Sequence, residues 1–161
     1  MSITIRDAGP LDAAIIAEFN NCMAVETEGH ELPGDLIRAG VSAILGDRSK
    51  GRYWLAEQDS QIIGQIMVTY EWSDWRNGTM WWIQSVYVAQ GFRRQGVFSA
   101  LYRFVESLAR ADKGVCGLRL YVERSNLSAQ ETYQHLGMSK SGYEVMEADF
   151  SKTLAKGNEK C

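Results

Sequence analysis

Residues 91–110, GFRRQGVFSALYRFVESLAR, follow directly on an apolar run that ends SVYV. A strand that passes through a short arginine-glycine turn into an amphipathic helix directs several backbone N–H groups and the positive end of a helix at one point. Such a convergence suits a diphosphate. Gly96 lets the chain turn tightly and approach a ligand without a Cβ in the way, and the amides of Arg94, Gln95, Gly96, Val97 and Phe98 become the donors of the helix start. No Lys-Ser/Thr pair follows the glycine, so this is not a Walker A loop. Nor is it a dinucleotide fingerprint, because the G-x-G-x-x-G spacing is absent and the preceding strand comes from a hairpin. Taken alone, the turn could equally be an ordinary strand-to-helix connection.

The chain has 161 residues, 45% hydrophobic and 23% charged, enough for one domain with its own core. We expect a single domain over residues 1–150 and a polar tail over residues 151–161. No apolar run is long enough to span a bilayer. The N-terminal MSITIRDAGPLD lacks the basic and apolar regions of a secretory signal, so a cytoplasmic location and no membrane partner are expected. Cys22, Cys116 and Cys161 are odd in number and widely spaced, which suggests neither a disulfide framework nor a metal site. A net charge of −3 argues against nucleic acid as a partner. Any anion site must then be local, and Arg93 and Arg94 supply a basic point.

Hydrophobic spacing sets out the elements. A short strand over residues 2–6 leads to a helix over residues 11–25, with Ile15, Ile16, Phe19 and Met23 on one face. The polar linker ETEGHELPG follows, then a second helix over residues 35–45. Three strands come next, over residues 53–58, 62–72 and 79–88, with hairpin turns at Asp59-Ser60 and Asn77-Gly78. Alternation along residues 79–88 puts Trp82, Gln84, Val86 and Val88 on one face and Trp81, Ile83, Ser85 and Tyr87 on the other. Val97, Leu101, Phe104, Val105 and Leu108 trace a third helix. A strand over residues 117–122 and a fourth helix over residues 127–136 follow, and residues 142–150 read as one or two closing strands. The fold class is α/β, of the mixed α+β kind: a mixed, mostly antiparallel sheet of six to seven strands flanked by about four helices.

A second constellation lies in LYVERSNLSAQETYQHLGM. Asn126 stands at the helix start and Tyr133 about two turns on, so both can face one side; Leu136-Gly137-Met138 ends the helix. With these residues in view, the sequence resembles the GNAT superfamily of acyl-CoA-dependent N-acetyltransferases over nearly all of residues 3–150. The family loop Arg/Gln-x-x-Gly-x-Gly/Ala is matched by Arg93 and Gly96, with Phe98 as a departure. Asn126 and Tyr133 match its asparagine and tyrosine, and Leu136-Gly137-Met138 its Leu-Gly-Phe ending.

The resemblance implies acetyl-CoA as acyl donor, bound along Val86, Tyr87 and Val88, by the loop from Arg93 through Arg94, Gln95, Gly96, Val97, Phe98 and Ser99, and by Asn126 and Tyr133. No metal is implied. Tyr133 would protonate the departing thiolate, and a backbone N–H at Val86 would stabilise the oxyanion. An alkyl amine must lose a proton before it attacks a thioester. Glu26 and Glu28 are the foremost candidates to receive it, because the loop after the first helix roofs the acceptor site in this family; Glu71, Asp74 and His30 are further candidates. The hairpin TYEWSDWRNGTMWWIQSVYV also resembles the diamine and polyamine acetyltransferase branch, but Gln84 and Ser85 stand where that branch carries glutamate and aspartate.

Trp54, Trp72, Trp75, Trp81 and Trp82 are a heavy aromatic load, explained either by packing or by a wall for a cationic substrate. Trp72 and Trp75 lie near a hairpin tip and are the best candidates for the wall. With Glu26, Glu28 and Gln84 they make up the expected acceptor site. The leading functional expectation is transfer of acetyl from acetyl-CoA to a primary amine of a small molecule. The alternatives are acetylation of a peptide or protein amine, and a non-catalytic acyl-CoA sensor. Dimers are common in the family, so a second copy of the chain is a candidate partner.

Overall fold

The structure, a computed structural model, describes residues 2–151. Cys161 and all but the first residue of the expected tail lie outside the described residues. The chain divides into two compact units, one ending at Glu123 and the other beginning at Arg124.

The first unit holds one sheet in the order β1 (Thr4–Asp7), β2 (Arg52–Gln58), β3 (Gln61–Ser73), β4 (Gly78–Val88) and β5 (Val115–Leu120). The first three pairings are antiparallel and β4–β5 is parallel. Asp59 and Ser60 carry φ of 50° and 64°, the left-handed pair that a two-residue hairpin turn requires. Parallel neighbours need a crossover, and α3 (Val97–Ala111) supplies it between β4 and β5.

Two cores flank the sheet. On one face Ile16 and Ala17 of α1 (Ala13–Glu28) and Val41 of α2 (Gly34–Gly46) pack with Tyr53, Leu55 and Met67. On the other, α3 buries Val97, Leu101 and Val105, and Phe104 meets Trp54 edge-on at 6.4 Å. Trp54 in turn stacks on Trp81 at 6.1 Å, so these two tryptophans serve packing. Gly64 brings the start of α3 close to the sheet: a Cβ there would lie 3.0 Å from the Tyr87 carbonyl and 3.2 Å from Val97.

Helix α1 runs further than its apolar pattern suggests. It reaches Glu28, and Gly29, at φ 76°, ends it with its N–H bonded to the Val25 carbonyl at 3.1 Å, a left-handed stop that glycine favours. Glu26 and Glu28 therefore stand on the last helical turn and not in a loop.

The expected six to seven strands are not matched; the described residues form five. Residues 142–150 belong to no ladder. Their alternation provides a face but no paired edge, and Tyr143, Val145, Met146 and Phe150 are all exposed. Alternation without a neighbouring strand does not stabilise extended chain.

The second unit contains α4 (Leu127–His135). Asn126 caps it, its Oδ1 accepting from the Ala129 amide at 3.1 Å. Gly137, at φ 95°, closes it, and the Met138 amide donates to the Tyr133 carbonyl at 3.0 Å, as in a Schellman ending.

Candidate functional site

Strand β4 changes character halfway along. Met67 pairs with Gln84 and Gln65 with Tyr87, so the single residue Ile66 stands opposite both Ser85 and Val86. This is a β-bulge, and Ser85 sits at φ 48° within it. The extra residue reverses the alternation. Val86 and Val88 were expected to share a face with Trp82 and Gln84, but beyond the bulge it is Tyr87 that joins Gln84, and its ring packs at 5.0 Å on Phe19 of α1.

The parallel ladder from β4 to β5 ends at the same place. Its last pair is Ile83 with Leu120, while β4 continues to Val88. Among the described residues, 84–88 thus have β3 on one side and no strand on the other. Extended backbone in this condition presents hydrogen-bonding groups to an added strand-like ligand.

The chain then makes a turn at Gln90–Phe92 and enters α3 with Gly96 as N-cap. Arg94, at φ 60°, and Gly96, at φ 81°, bend the loop in the left-handed sense. A Cβ on Gly96 would meet nothing within 4 Å, so the position demands the backbone angle and leaves open space above it. The Ala100 amide bonds the Gly96 carbonyl at 3.0 Å. The amides preceding Ala100 in this turn are those that a helix start directs outward. Arg94 and Gln95 are exposed; Gln95 donates to the Gly91 carbonyl at 3.0 Å.

Arg93 is held elsewhere. Its Nε donates to the Val88 carbonyl at 2.8 Å, and its Nη2 donates to both oxygens of Glu26 at 3.0 and 2.8 Å. The guanidinium lies over the Tyr87 ring, 5.3 Å from its centroid, and the Tyr87 hydroxyl donates to Glu26 at 3.2 Å. Burial first, and then the charge of Glu26, pushes the Tyr87 phenol up to about 12. Arg94 forms no ion pair among the described residues.

The remaining expected acceptor residues are spread over the surface. Glu28 lies 3.4 Å from His30 Nε2, both exposed. Trp72 is 63% and Trp75 88% exposed, and the Trp75 amide donates to Asp74 Oδ1 at 2.9 Å. Gln84 Nε2 donates to Thr69 Oγ1 at 2.6 Å. Glu71 accepts from Trp82 Nε1 at 3.0 Å and pairs with Arg119 at 2.9 Å; the Trp82 ring packs at 4.5 Å on Tyr121. In the second unit, burial pushes the Tyr133 phenol above its ordinary value.

Sequence reasoning missed one group. Gln65, fully buried in β3, donates through Nε2 to Asn20 Oδ1 at 2.8 Å and to the Ser85 carbonyl at 3.0 Å. A glutamine inside the apolar run IIGQIMV was the available signal.

A mixed sheet whose parallel pair ends early beside a glycine-capped helix start defines an acyl-CoA-type fold. The sequence model of the acetyltransferase (GNAT) family matches residues 16–138, and the chain belongs to that family. Family members use acetyl-CoA. A possible acetyltransferase from Clostridium difficile 630 is 44% identical, with a TM-score of 0.87 over 92% of this chain and 98% of that one. A predicted acetyltransferase with acetyl-CoA from Clostridium acetobutylicum is 16% identical (TM-score 0.75, 94% and 98% of the two chains). Glucosamine-6-phosphate N-acetyltransferase from Arabidopsis thaliana is 17% identical (TM-score 0.71, 92% and 99%). The last two share the fold. No curated protein matches the chain. Among the described residues no helix is long and apolar enough to cross a membrane.

Proposed function

We propose that the protein transfers acetyl from acetyl-CoA to a primary amine of a small molecule. The observation that carries this reading is the run of residues 84–88, left without a strand on one side and leading straight into the Gly96 helix start. In this reading Val86, Tyr87 and Val88 offer main-chain groups to the pantetheine arm. The amides of residues 94–99 and the Arg94 side chain take the pyrophosphate, Asn126 contributes to cofactor binding, and Arg93 braces the loop.

The amine nitrogen attacks the thioester carbonyl carbon, and the new C–N bond forms as the carbonyl oxygen takes up negative charge. The Val86 N–H stabilises that charge. Collapse breaks the C–S bond, and the thiolate takes the proton of the Tyr133 phenol. The proton lost by the amine goes to Glu28 through water, while Glu26, occupied on both oxygens, holds Arg93. Trp72, Trp75 and Gln84 contact the acceptor. The thiols of Cys22 and Cys116 are free, which suits a reducing, cytoplasmic setting. A second copy of the chain is the assembly partner we assign.

The sensor reading is favoured by one observation: no carboxylate stands at Gln84 or Ser85. A thiol-release assay with acetyl-CoA over small amines, amino acids, aminoglycosides and peptides separates these readings. Release with a small amine is the expected result. Release with peptides alone would move the acceptor class, and tight acetyl-CoA binding without release would make the protein a sensor.

A further inference from the structure

We infer that Gln65 is a positioning residue for acyl transfer, fixing the peptide that carries the oxyanion donor; this rests on the reading above. The Ser85 carbonyl lies in the bulge, where the ladder register breaks, and Gln65 Nε2 donates to it at 3.0 Å. The Ser85 carbonyl and the Val86 N–H belong to one peptide group. No peptide bond in the described chain is cis, and in a planar trans peptide the two point in opposite directions. A hydrogen bond that draws the carbonyl toward Gln65 therefore aims the Val86 N–H away from it. A rotation of this one peptide would aim the donor wrongly.

The Gln65 amide has one orientation that satisfies its neighbours. A backbone carbonyl only accepts, so the nitrogen must face Ser85. The same nitrogen reaches Asn20 Oδ1 at 2.8 Å, and Asn20 Nδ2 donates to the Tyr53 hydroxyl at 3.1 Å. Asn20 is 4% exposed and Gln65 0%, so this chain of bonds ties β2, α1, β3 and β4 together inside the core. Gln65 Oε1 is buried and has no hydrogen-bond partner among the described residues. An orphaned acceptor in the core is unfavourable, and an apolar side chain of similar size would avoid it. The glutamine holds a non-glycine bulge whose Ser85 sits at φ 48°.

Gln65→Met keeps the volume and removes the donor. The expected result is a kcat lower by about ten- to one hundred-fold, since losing one oxyanion donor outright costs 10²–10³, with the acetyl-CoA Kd from calorimetry unchanged. In protein labelled with ¹⁵N-valine, the Val86 amide resonance should be displaced. Tyr53→Phe, a milder change at the far end of the chain of bonds, should show the same split at about three-fold, and serves if Gln65→Met does not fold. An unchanged kcat, an unmoved Val86 resonance, or equal losses in kcat and cofactor affinity would overturn the inference. Wild-type protein that transfers no acetyl would instead bring down the proposed function, and would do so before any variant is made.

Discussion

The guanidinium of Arg93 and the carboxylate of Glu26, 67 residues apart, are joined by two hydrogen bonds of 3.0 and 2.8 Å. This bond ties the last turn of α1 to the loop that leads into α3, and it occupies both oxygens of a residue that the family resemblance favoured as a base. The two side chains are 38% and 34% exposed, so their pairing contributes only about 0.5–1 kcal/mol. Glu26→Gln should lower stability by that amount in urea titration and reduce kcat less than five-fold. Glu28→Gln should reduce kcat by about one hundred-fold. The opposite pattern would identify Glu26 as the base.

Gly96 lies at φ 81° with nothing within 4 Å of a built Cβ. An alanine would meet no neighbour and would pay only for the left-handed angle, about 1 kcal/mol. A proline cannot adopt that angle. Gly96→Ala should weaken acetyl-CoA binding by up to about five-fold, and Gly96→Pro should abolish it in calorimetry. Equal affinity for wild type and Gly96→Pro would place the pyrophosphate elsewhere.

The Tyr87 phenol, pushed up to about 12 by burial and then by Glu26, has a consequence for alkaline stability. Its folded value exceeds the unfolded one near 10, so the folded state binds the proton more tightly. That stabilisation is complete below pH 10 and is lost as pH rises toward 12. Between pH 8 and pH 11.5 the wild type should lose more stability than Tyr87→Phe, by about 1–2 kcal/mol. Parallel denaturation midpoints across that range would show that the phenol titrates normally.

Much of the fold was legible because the signals were local. The apolar faces of α1 and α3, the Asp59-Ser60 turn and the capping Asn126 are each specified within a few residues. What was not legible depended on pairing. Nothing in WWIQSVYV marks where an extra residue enters β4, so the face carrying Tyr87 was misassigned. Residues 142–150 alternate like a strand, yet alternation carries no information about whether an edge is present to receive it. The site divides in the same way. The glycine-capped loop was apparent from residues 93–96, whereas the Arg93–Glu26 bond and the Gln65–Ser85 bond join segments that only the fold brings together.

The Tyr133 phenol is protonated at neutral pH, as any tyrosine is, and burial raises it further; coenzyme A leaves as a thiolate that is already stable near pH 8.5. Removing the phenol should therefore slow turnover moderately, by about ten-fold. Tyr133→Phe should lower kcat and leave the acetyl-CoA Kd unchanged, and the wild-type rate should not fall between pH 7 and pH 9. Equal losses in both constants would show that Tyr133 only shapes the cofactor site.

Trp75 is 88% exposed at the tip of the β3–β4 hairpin, beside Asp74. A side chain this open contributes little to folding, so its removal separates recognition from stability. If its ring receives a protonated amine, the cation–π contact contributes about 0.5–1 kcal/mol at an exposed position, equivalent to a two- to five-fold change in binding. Trp75→Ala should raise KM for an amine acceptor by that factor, leave KM for acetyl-CoA unchanged and keep the melting temperature within about 1 °C. An equal KM for the amine in wild type and variant would remove Trp75 from the acceptor site.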